Sequence, residues 1–332
     1  MHLLGRAFGA AAGLRVEAYR RGLVPRARLR GPVISVGNLS VGGSGKTPVV
    51  AHVAAMIRDA GLPVAVLSRG YRGSFRGEAL VVGDGRSVLA TAAAAGDEPV
   101  MLARELDGVV VAVGRRRDRV GRMIEARFGP RVHLLDDGFQ HLRLFRDLDV
   151  LCLDLRDLAD RPLPAGRLRE RPQAARRADV VLVTGPDEAS PDDVAAATAP
   201  LGAGRTHRVH RRPDGFRDAA GLPVTPPRVP FLLAGIARPE RFAADVASLG
   251  GRVAGRRFFP DHHGFTVAEL VDVVAEATRL GADAILTTAK DAVRLPPFVP
   301  DLPLVILRLS IDVSDHPRFR ERVLAVARRS VA

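Results

Sequence analysis

Val33-Ile-Ser-Val-Gly-Asn-Leu-Ser-Val-Gly-Gly-Ser-Gly-Lys-Thr-Pro48 is the stretch whose reading decides the fold. An apolar, β-branched run passes into a glycine loop that ends in Gly45-Lys46-Thr47. Pro48 then falls in the first turn of a helix, where its missing N–H costs nothing. A strand, a glycine loop and a helix in that order build a phosphate cradle. Gly42, Gly43, Ser44 and Gly45 let backbone N–H groups converge on phosphate oxygens, Lys46 supplies a compact positive charge, and the Thr47 hydroxyl can hold Mg²⁺. The first glycine of G-x-x-x-x-G-K-[ST] would fall at position 40, where Ser40 stands, so the loop is a variant of the pattern.

Composition points to the same place. Of 50 Lys plus Arg residues only Lys46 and Lys290 are lysine, leaving 48 arginines. A chain so biased keeps lysine where a guanidinium will not serve, as at a compact phosphate site. The sole asparagine, Asn38, lies beside the loop, and the scarce Tyr71 and Gln140 fall in motifs discussed below.

With 332 residues, 47% of them hydrophobic, the chain can bury a sizeable core and divide into two domains. A single cysteine, Cys152, excludes an internal disulfide and suits a reducing cytosol. A net charge of +13 calls for an anionic partner. Nucleic acid is not expected, because aromatics are 5% and nothing interleaves them with the basic residues as a stacking platform.

Residues 1–30 place Leu3, Leu4, Phe8, Ala11, Leu14, Ala18 and Tyr19 at helical spacing among flanking arginines. No apolar run approaches the roughly 20 residues that span a bilayer. Two readings fit equally: a basic amphipathic helix on an anionic membrane surface, or an ordinary helix packed on the core.

From Pro32 the pattern alternates strand and helix. Short apolar runs occupy 32–36, 64–68, 109–113, 132–136, 150–154 and 180–184, as in parallel strands covered on both faces. The expected fold is α/β: a three-layer phosphate-loop NTPase-type domain with a mostly parallel sheet over 31–205 and a second, smaller α/β domain over 231–332. Its strands are expected at 231–234, 252–258, 284–288 and 304–309, and its helices near 238–249, 266–280 and 316–329. The Pro-, Arg- and Gly-rich stretch 206–230 reads as the connection.

Chemistry concentrates at strand ends, where such sheets bind ligands. Ser68-Arg69-Gly70-Tyr71 offers an arginine beside a glycine turn, and Gly114-Arg-Arg-Arg117 adds cationic density. Gly96-Asp97-Glu98-Pro99 opens a helix with paired carboxylates, one able to accept a hydroxyl proton and the other to hold Mg²⁺. Leu134-Leu135-Asp136-Asp137-Gly-Phe-Gln140-His141 ends an apolar strand in a double acid, as used opposite a phosphate loop. Gly166-Arg-Leu-Arg169-Glu170, Asp261-His262-His263 and Thr287-Thr-Ala-Lys290-Asp291 follow downstream. Zinc is not expected, given one cysteine and no ligand pairs at the usual spacing.

Taken in order, these motifs resemble those of the tetraacyldisaccharide 4′-kinase (lipid A 4′-kinase) family, from the basic N-terminal helix to about Asp291. The resemblance implies ATP-dependent phosphorylation of the 4′-hydroxyl of a tetraacyl disaccharide 1-phosphate in lipid A synthesis. It also implies peripheral attachment at the cytoplasmic face of a Gram-negative inner membrane, with ATP and Mg²⁺ as cofactors. The acylated lipid and the anionic membrane surface would be the partners, and a monomer is expected. Carried over residue by residue, it makes Asp97 with His262 the catalytic pair, Lys46 the phosphate lysine, and Thr47, Glu98, Asp136 and Asp137 the metal side. Asn38, Arg69, Tyr71, Arg117, Gln140, His141, Arg169, Glu170, Lys290 and Asp291 become substrate or phosphate contacts. His262 rather than His263 is chosen because it directly follows Asp261. Two other functions are weighed: a partition-type switch ATPase, which would carry a lysine where Val41 stands, and a non-catalytic nucleic-acid-binding module.

Overall fold

The computed structural model describes residues 2–42, 45–184, 190–202, 204–297 and 301–329. Gly43 and Ser44 of the loop lie outside the described residues, as do the side chains of residues 2–4 and 6.

The elements follow in chain order. Helix α1 (His2–Arg20) precedes β1 (Val33–Asn38), α2 (Lys46–Asp59), β2 (Val64–Ser68), β3 (Leu80–Asp84), α3 (Ala92–Ala95), α4 (Asp97–Glu105), β4 (Val110–Val113), α5 (Arg117–Phe128), β5 (Val132–Asp136), β6 (Leu148–Leu153) and β7 (Val180–Val183). After α6 (Pro191–Thr198) come β8 (Thr206–Arg217), β9 (Pro223–Val224), β10 (Pro230–Ala234), α7 (Pro239–Ser248), β11 (Gly255–Phe258), α8 (Val267–Arg279), β12 (Ala284–Thr288), α9 (Ala289–Ala292), β13 (Leu304–Val313) and α10 (His316–Ala327).

The hydrogen-bonded strand order is β11-β10-β12-β13-β8-β7-β6-β1-β5-β2-β4-β3. Strands β4, β2, β5, β1, β6 and β7 run parallel, and β3 closes that edge antiparallel to β4. Parallel strands need both faces covered, and alternate residues supply the two faces. Ile34 and Val36 of β1 pack with Val50 and Val53 of α2 and Phe319 of α10, while Val33 joins Val120 and Ile124 of α5. The second half repeats the scheme: Leu232 meets Phe242 and Val246 of α7, whereas Phe231 and Leu233 meet Leu270 and Val273 of α8. Each such fully buried side chain contributes about 1.5–3 kcal/mol relative to exposure.

One expectation fails in the middle of the chain. The stretch 206–230, read as a connection, contains β8, whose first residues pair parallel with β7 and whose remainder, from Val209 to Arg217, pairs antiparallel with β13. Arg208, Arg211, Arg212 and Arg217, of which only Arg212 is exposed, together with Pro213 and Gly215 hide the alternation that would mark a strand. The two halves thus share one hydrogen-bonded sheet through β8.

Helix α1 packs one face against the rest of the chain. Gly5 and Gly9 allow close approach to the 162–171 segment, since a β-carbon on Gly5 would stand 3.0 Å from the Ala165 Cβ and one on Gly9 3.1 Å from the Pro162 Cγ. Phe8 and Leu14 remain exposed, as does Leu23 just beyond the helix. Among the described residues no helix is long and apolar enough to cross a membrane.

Candidate active site

The phosphate loop is built as the sequence requires at the positions described. Gly45 caps α2 with a left-handed backbone (φ 74°), and Gly42 has φ 108°. Both conformations favour glycine. Lys46 and Thr47 then open α2, whose unsatisfied N–H groups and dipole favour an anion. The start of the loop is tied down: the Asn38 Nδ2 donates to the Ser40 carbonyl at 2.8 Å, and the Ser40 hydroxyl donates to buried Asp157 at 3.0 Å. Ser40, where a glycine was absent from the pattern, therefore serves as an anchor. Asn38 is fully buried, so it shapes the loop and does not reach a substrate directly.

Opposite the loop, β5 ends in the double acid. Asp136 is buried and accepts from the Ser68 hydroxyl at 2.9 Å, leaving its Oδ1 buried with no hydrogen-bond partner. Burial raises its pKa, and the neighbouring Asp137 charge adds to that. Asp137 adopts a left-handed backbone (φ 54°). Its Oδ2 accepts from Arg169 at 2.6 Å, and its Oδ1 faces Lys46 Nζ at 3.7 Å. Burial works to raise its pKa, but Lys46 and Arg169 outweigh it and the net direction is down. Gln140 links this pair to the strand before the loop, donating to the Asn38 carbonyl at 2.9 Å and to Glu170 at 3.1 Å. Glu170 is gripped by both arms of Arg177, at 2.6 and 2.7 Å. It is buried, so the structure makes it a brace for Gln140 in place of the substrate contact read from the sequence.

Around this acid pair stands a ring of cations. Arg117 is buried, with its charge acting on Asp137, Asp136, Arg69 and Arg169. Burial lowers its pKa to about 10, so it stays charged at neutral pH. His141 is pushed down to about 3 by burial and by Arg117, and is therefore neutral. Arg69 and Tyr71 are exposed on the loop after β2, free of the core.

The second half contributes the other wall. Asp97 is the first residue of α4, and its Oδ2 lies 2.9 Å from His262 Nδ1. His262 Nε2 lies 3.4 Å from Lys290 Nζ, which also donates to Asp261 at 3.2 Å. A tautomer with the proton on Nδ1 satisfies both contacts, donating to Asp97 and accepting from Lys290. His262 is held in a left-handed conformation (φ 64°), the kind of strained backbone that persists where surroundings over-determine it. His263 is committed elsewhere, to Glu269 at 3.0 Å and to a stack on Phe259 with centroids 4.4 Å apart. Lys290 therefore stands against the Asp261–His262 pair. Asp291 is fully buried, accepting from the Thr288 hydroxyl at 2.7 Å, the Gly235 N–H at 3.1 Å and Arg294. Enclosed by those donors, it cannot be the substrate contact expected from sequence.

Glu98 joins the two walls. Burial raises its pKa, and the charges of Asp136, Lys290 and Lys46 all act on it. Glu98 and Asp136, raised by burial, with the orphaned Asp136 Oδ1, are what a divalent cation would relieve, so they suit Mg²⁺ with Thr47 and Asp137 beside them. Among the described residues no group of three acids, histidines or cysteines is placed to hold a metal ion; Mg²⁺ here would take one or two of these carboxylates and complete its shell with phosphate and water.

Three groups in this site were not singled out from sequence. Ser68 stood in a quoted motif without a role. Arg177 and Arg294 carry no signal in a chain with so many arginines, although Arg294 lies one helical turn after Asp291.

Comparison with known proteins is uniform. A family model described as "Tetraacyldisaccharide-1-P 4′-kinase" matches residues 1–328. A tetraacyldisaccharide 4′-kinase of Anaeromyxobacter dehalogenans (strain 2CP-C) is 46% identical over 304 residues, covering 87% of this chain and 79% of that protein. One from Geobacter metallireducens is 41% identical over 310 residues, covering 92% and 91%. A crystal structure of the "apo" form of LpxK from Aquifex aeolicus in complex with ATP superposes with a TM-score of 0.81 at 30% identity, covering 98% and 97% of the two chains.

Proposed function

The chain belongs to the tetraacyldisaccharide-1-P 4′-kinase family, and on that premise we propose that it transfers the γ-phosphoryl of ATP to the 4′-hydroxyl of a tetraacyl disaccharide 1-phosphate, with Asp97 as the base. The observation that carries this reading is the 2.9 Å contact between Asp97 Oδ2 and His262 Nδ1, made between the two halves of the chain beside the phosphate-loop acids.

Thr47, Glu98, Asp136 and Asp137 are the residues that would hold Mg²⁺, whose charge would offset that of the phosphate oxygens. The chain's own residues do the rest. The α2 N-terminus and Lys46 bind the phosphates, and Arg117 and Arg169 surround the transferring group with positive charge. Asp97 orients the acceptor hydroxyl and takes its proton as the oxygen attacks phosphorus. His262, donating from Nδ1, fixes the carboxylate and stabilises it while Lys290 fixes the ring. Positioning and charge neutralisation together supply most of the acceleration in such transfers.

Helix α1 completes the proposal. Its packed glycine face fixes it to the 162–171 segment, while exposed Phe8, Leu14 and nearby arginines suit an anionic membrane surface. The protein would then act peripherally at the cytoplasmic face of the inner membrane, where the acylated acceptor resides.

The test follows labelled γ-phosphate from ATP into either the lipid or free phosphate, in detergent micelles, for the wild type and Lys46→Ala. Label in the lipid that disappears in the variant supports the kinase. Release as free phosphate with an unlabelled lipid would instead favour a switch ATPase.

A further inference from the structure

Arg294 belongs to none of the motifs quoted from the sequence, yet its guanidinium touches the Gly235 loop, the His263 loop and α9 beside Asp97. Its side chain is 6% exposed. Nη2 donates to the Gly235 carbonyl at 2.8 Å and pairs with Asp291, while Nη1 donates to the His263 carbonyl at 3.2 Å. Nε lies 3.4 Å from the Lys290 carbonyl and 3.6 Å from Asp97 Oδ2.

Two of these contacts bear on His262. The Gly235 carbonyl that Arg294 holds also accepts from the His262 backbone N–H at 3.0 Å. The His263 carbonyl belongs to the residue that follows His262. The fork thus braces the chain on both sides of His262, whose left-handed φ of 64° costs energy that the surroundings must offset. The Nε edge faces the same Asp97 oxygen that His262 Nδ1 holds.

The geometry points to Arg294 as a positioning residue for phosphoryl transfer: by bracing the Gly235 and His263 carbonyls and standing beside Asp97 Oδ2, it keeps His262 and Asp97 in register. The inference rests on the Asp97–His262 reading of the site. It differs from a plain counter-ion role opposite buried Asp291, which any cation of suitable reach could fill. A planar fork with several donors in fixed directions is needed to hold two carbonyls at once, and lysine lacks it.

Two variants separate these roles. Arg294→Lys keeps a charge opposite Asp291 and loses the fork. Arg294→Met combined with Asp291→Asn removes both charges, so that no buried carboxylate is stranded if the single change unfolds the chain. Each is measured for thermal melting, KM for ATP and kcat for phosphorylation of the tetraacyl disaccharide 1-phosphate. Arg294→Lys is measured also in a His262→Ala background.

The result expected is a folded protein with KM for ATP within about twofold, and kcat lowered on the order of 10- to 100-fold, the cost of a displaced catalytic group. In the His262→Ala background the further loss from Arg294→Lys shrinks to about twofold or less, because residues acting through one another are not additive. Full kcat in Arg294→Lys, or the same fold-loss with and without His262, overturns the proposal. A His262→Ala protein with undiminished kcat removes the underlying reading of the site, and this inference with it.

Discussion

Gly96 is the hinge on which the placement of Asp97 depends. It caps α4 with φ 92°, and a β-carbon built there would lie 2.5 Å from the Tyr71 carbonyl oxygen. Ordinary contact begins near 3.4 Å, so Gly96→Ala must push the helix start and the 69–73 loop apart by about 0.9 Å. The residues displaced are Asp97 and Glu98 on one side and Arg69 and Tyr71 on the other. A shift near 1 Å in a catalytic group costs on the order of 100-fold in rate. At φ 92° and ψ 158° the backbone lies where essentially only glycine is at ease, which adds strain of about 1–3 kcal/mol for a residue with a β-carbon and lowers Tm by about 2–4 °C in a chain of this size. Lipid phosphorylation and a thermal melt measure both quantities, with Gly251→Ala as control because nothing lies within 4 Å of its added carbon. The reasoning is refuted if Gly96→Ala keeps wild-type kcat and melts with the control.

Other consequences are more local. Asp136 is buried with an unpartnered oxygen and a proton affinity raised by burial and by Asp137, so its ionised form costs stability as pH rises above the ordinary carboxylate range. Asp136→Asn, which keeps the Ser68 contact, is expected to raise Tm at neutral pH by about 2 °C in metal-free buffer, while kinase activity is lost; a lowered Tm would contradict this. His141 is held near 3 by burial and by Arg117, against a value near 6.5 when unfolded, with Arg146, Arg15 and Asp118 also acting on it. Below pH 6.5 the unfolded chain therefore binds a proton that the native one does not, and stability falls by up to about 1.4 kcal/mol per pH unit from this group. In His141→Gln the urea midpoint should lose less between pH 6.5 and 4.5 than in the wild type; parallel curves would refute the assignment. Replacing exposed Phe8 and Leu14 together by serine is expected to weaken sedimentation with anionic vesicles at least 10-fold, and an unchanged bound fraction would remove α1 from the membrane contact.

Much of this site is visible in the chain before any coordinates. Local rules suffice for the strand and loop through Thr47, because glycine freedom, lysine chemistry and a helix start are all encoded within a few residues. The double acid at Asp136 is legible for the same reason, as it ends a continuous apolar run. Reading fails where meaning depends on partners distant in sequence. Glu170 and Asp291 look like ligand-facing acids, and only the burial created by Arg177 and Arg294 turns them into braces. Strand β8 fails differently: its alternation is masked by arginines that are mostly half-buried and by Pro213 and Gly215, and its pairing with both β7 and β13 is a property of the whole sheet. His262 and His263 are neighbours of the same type, and only Asp97 on one side and Glu269 on the other tell them apart.

The central claim is that Asp97 removes the acceptor proton. Asp97→Asn keeps size and hydrogen bonding at the α4 N-terminus and deletes the base. Its kcat for phosphorylation of the tetraacyl disaccharide 1-phosphate, with ATP affinity measured alongside, tests the claim directly. The prediction is a loss on the order of 10²- to 10⁴-fold with ATP binding intact. More than a tenth of wild-type kcat remaining in Asp97→Asn would contradict the account.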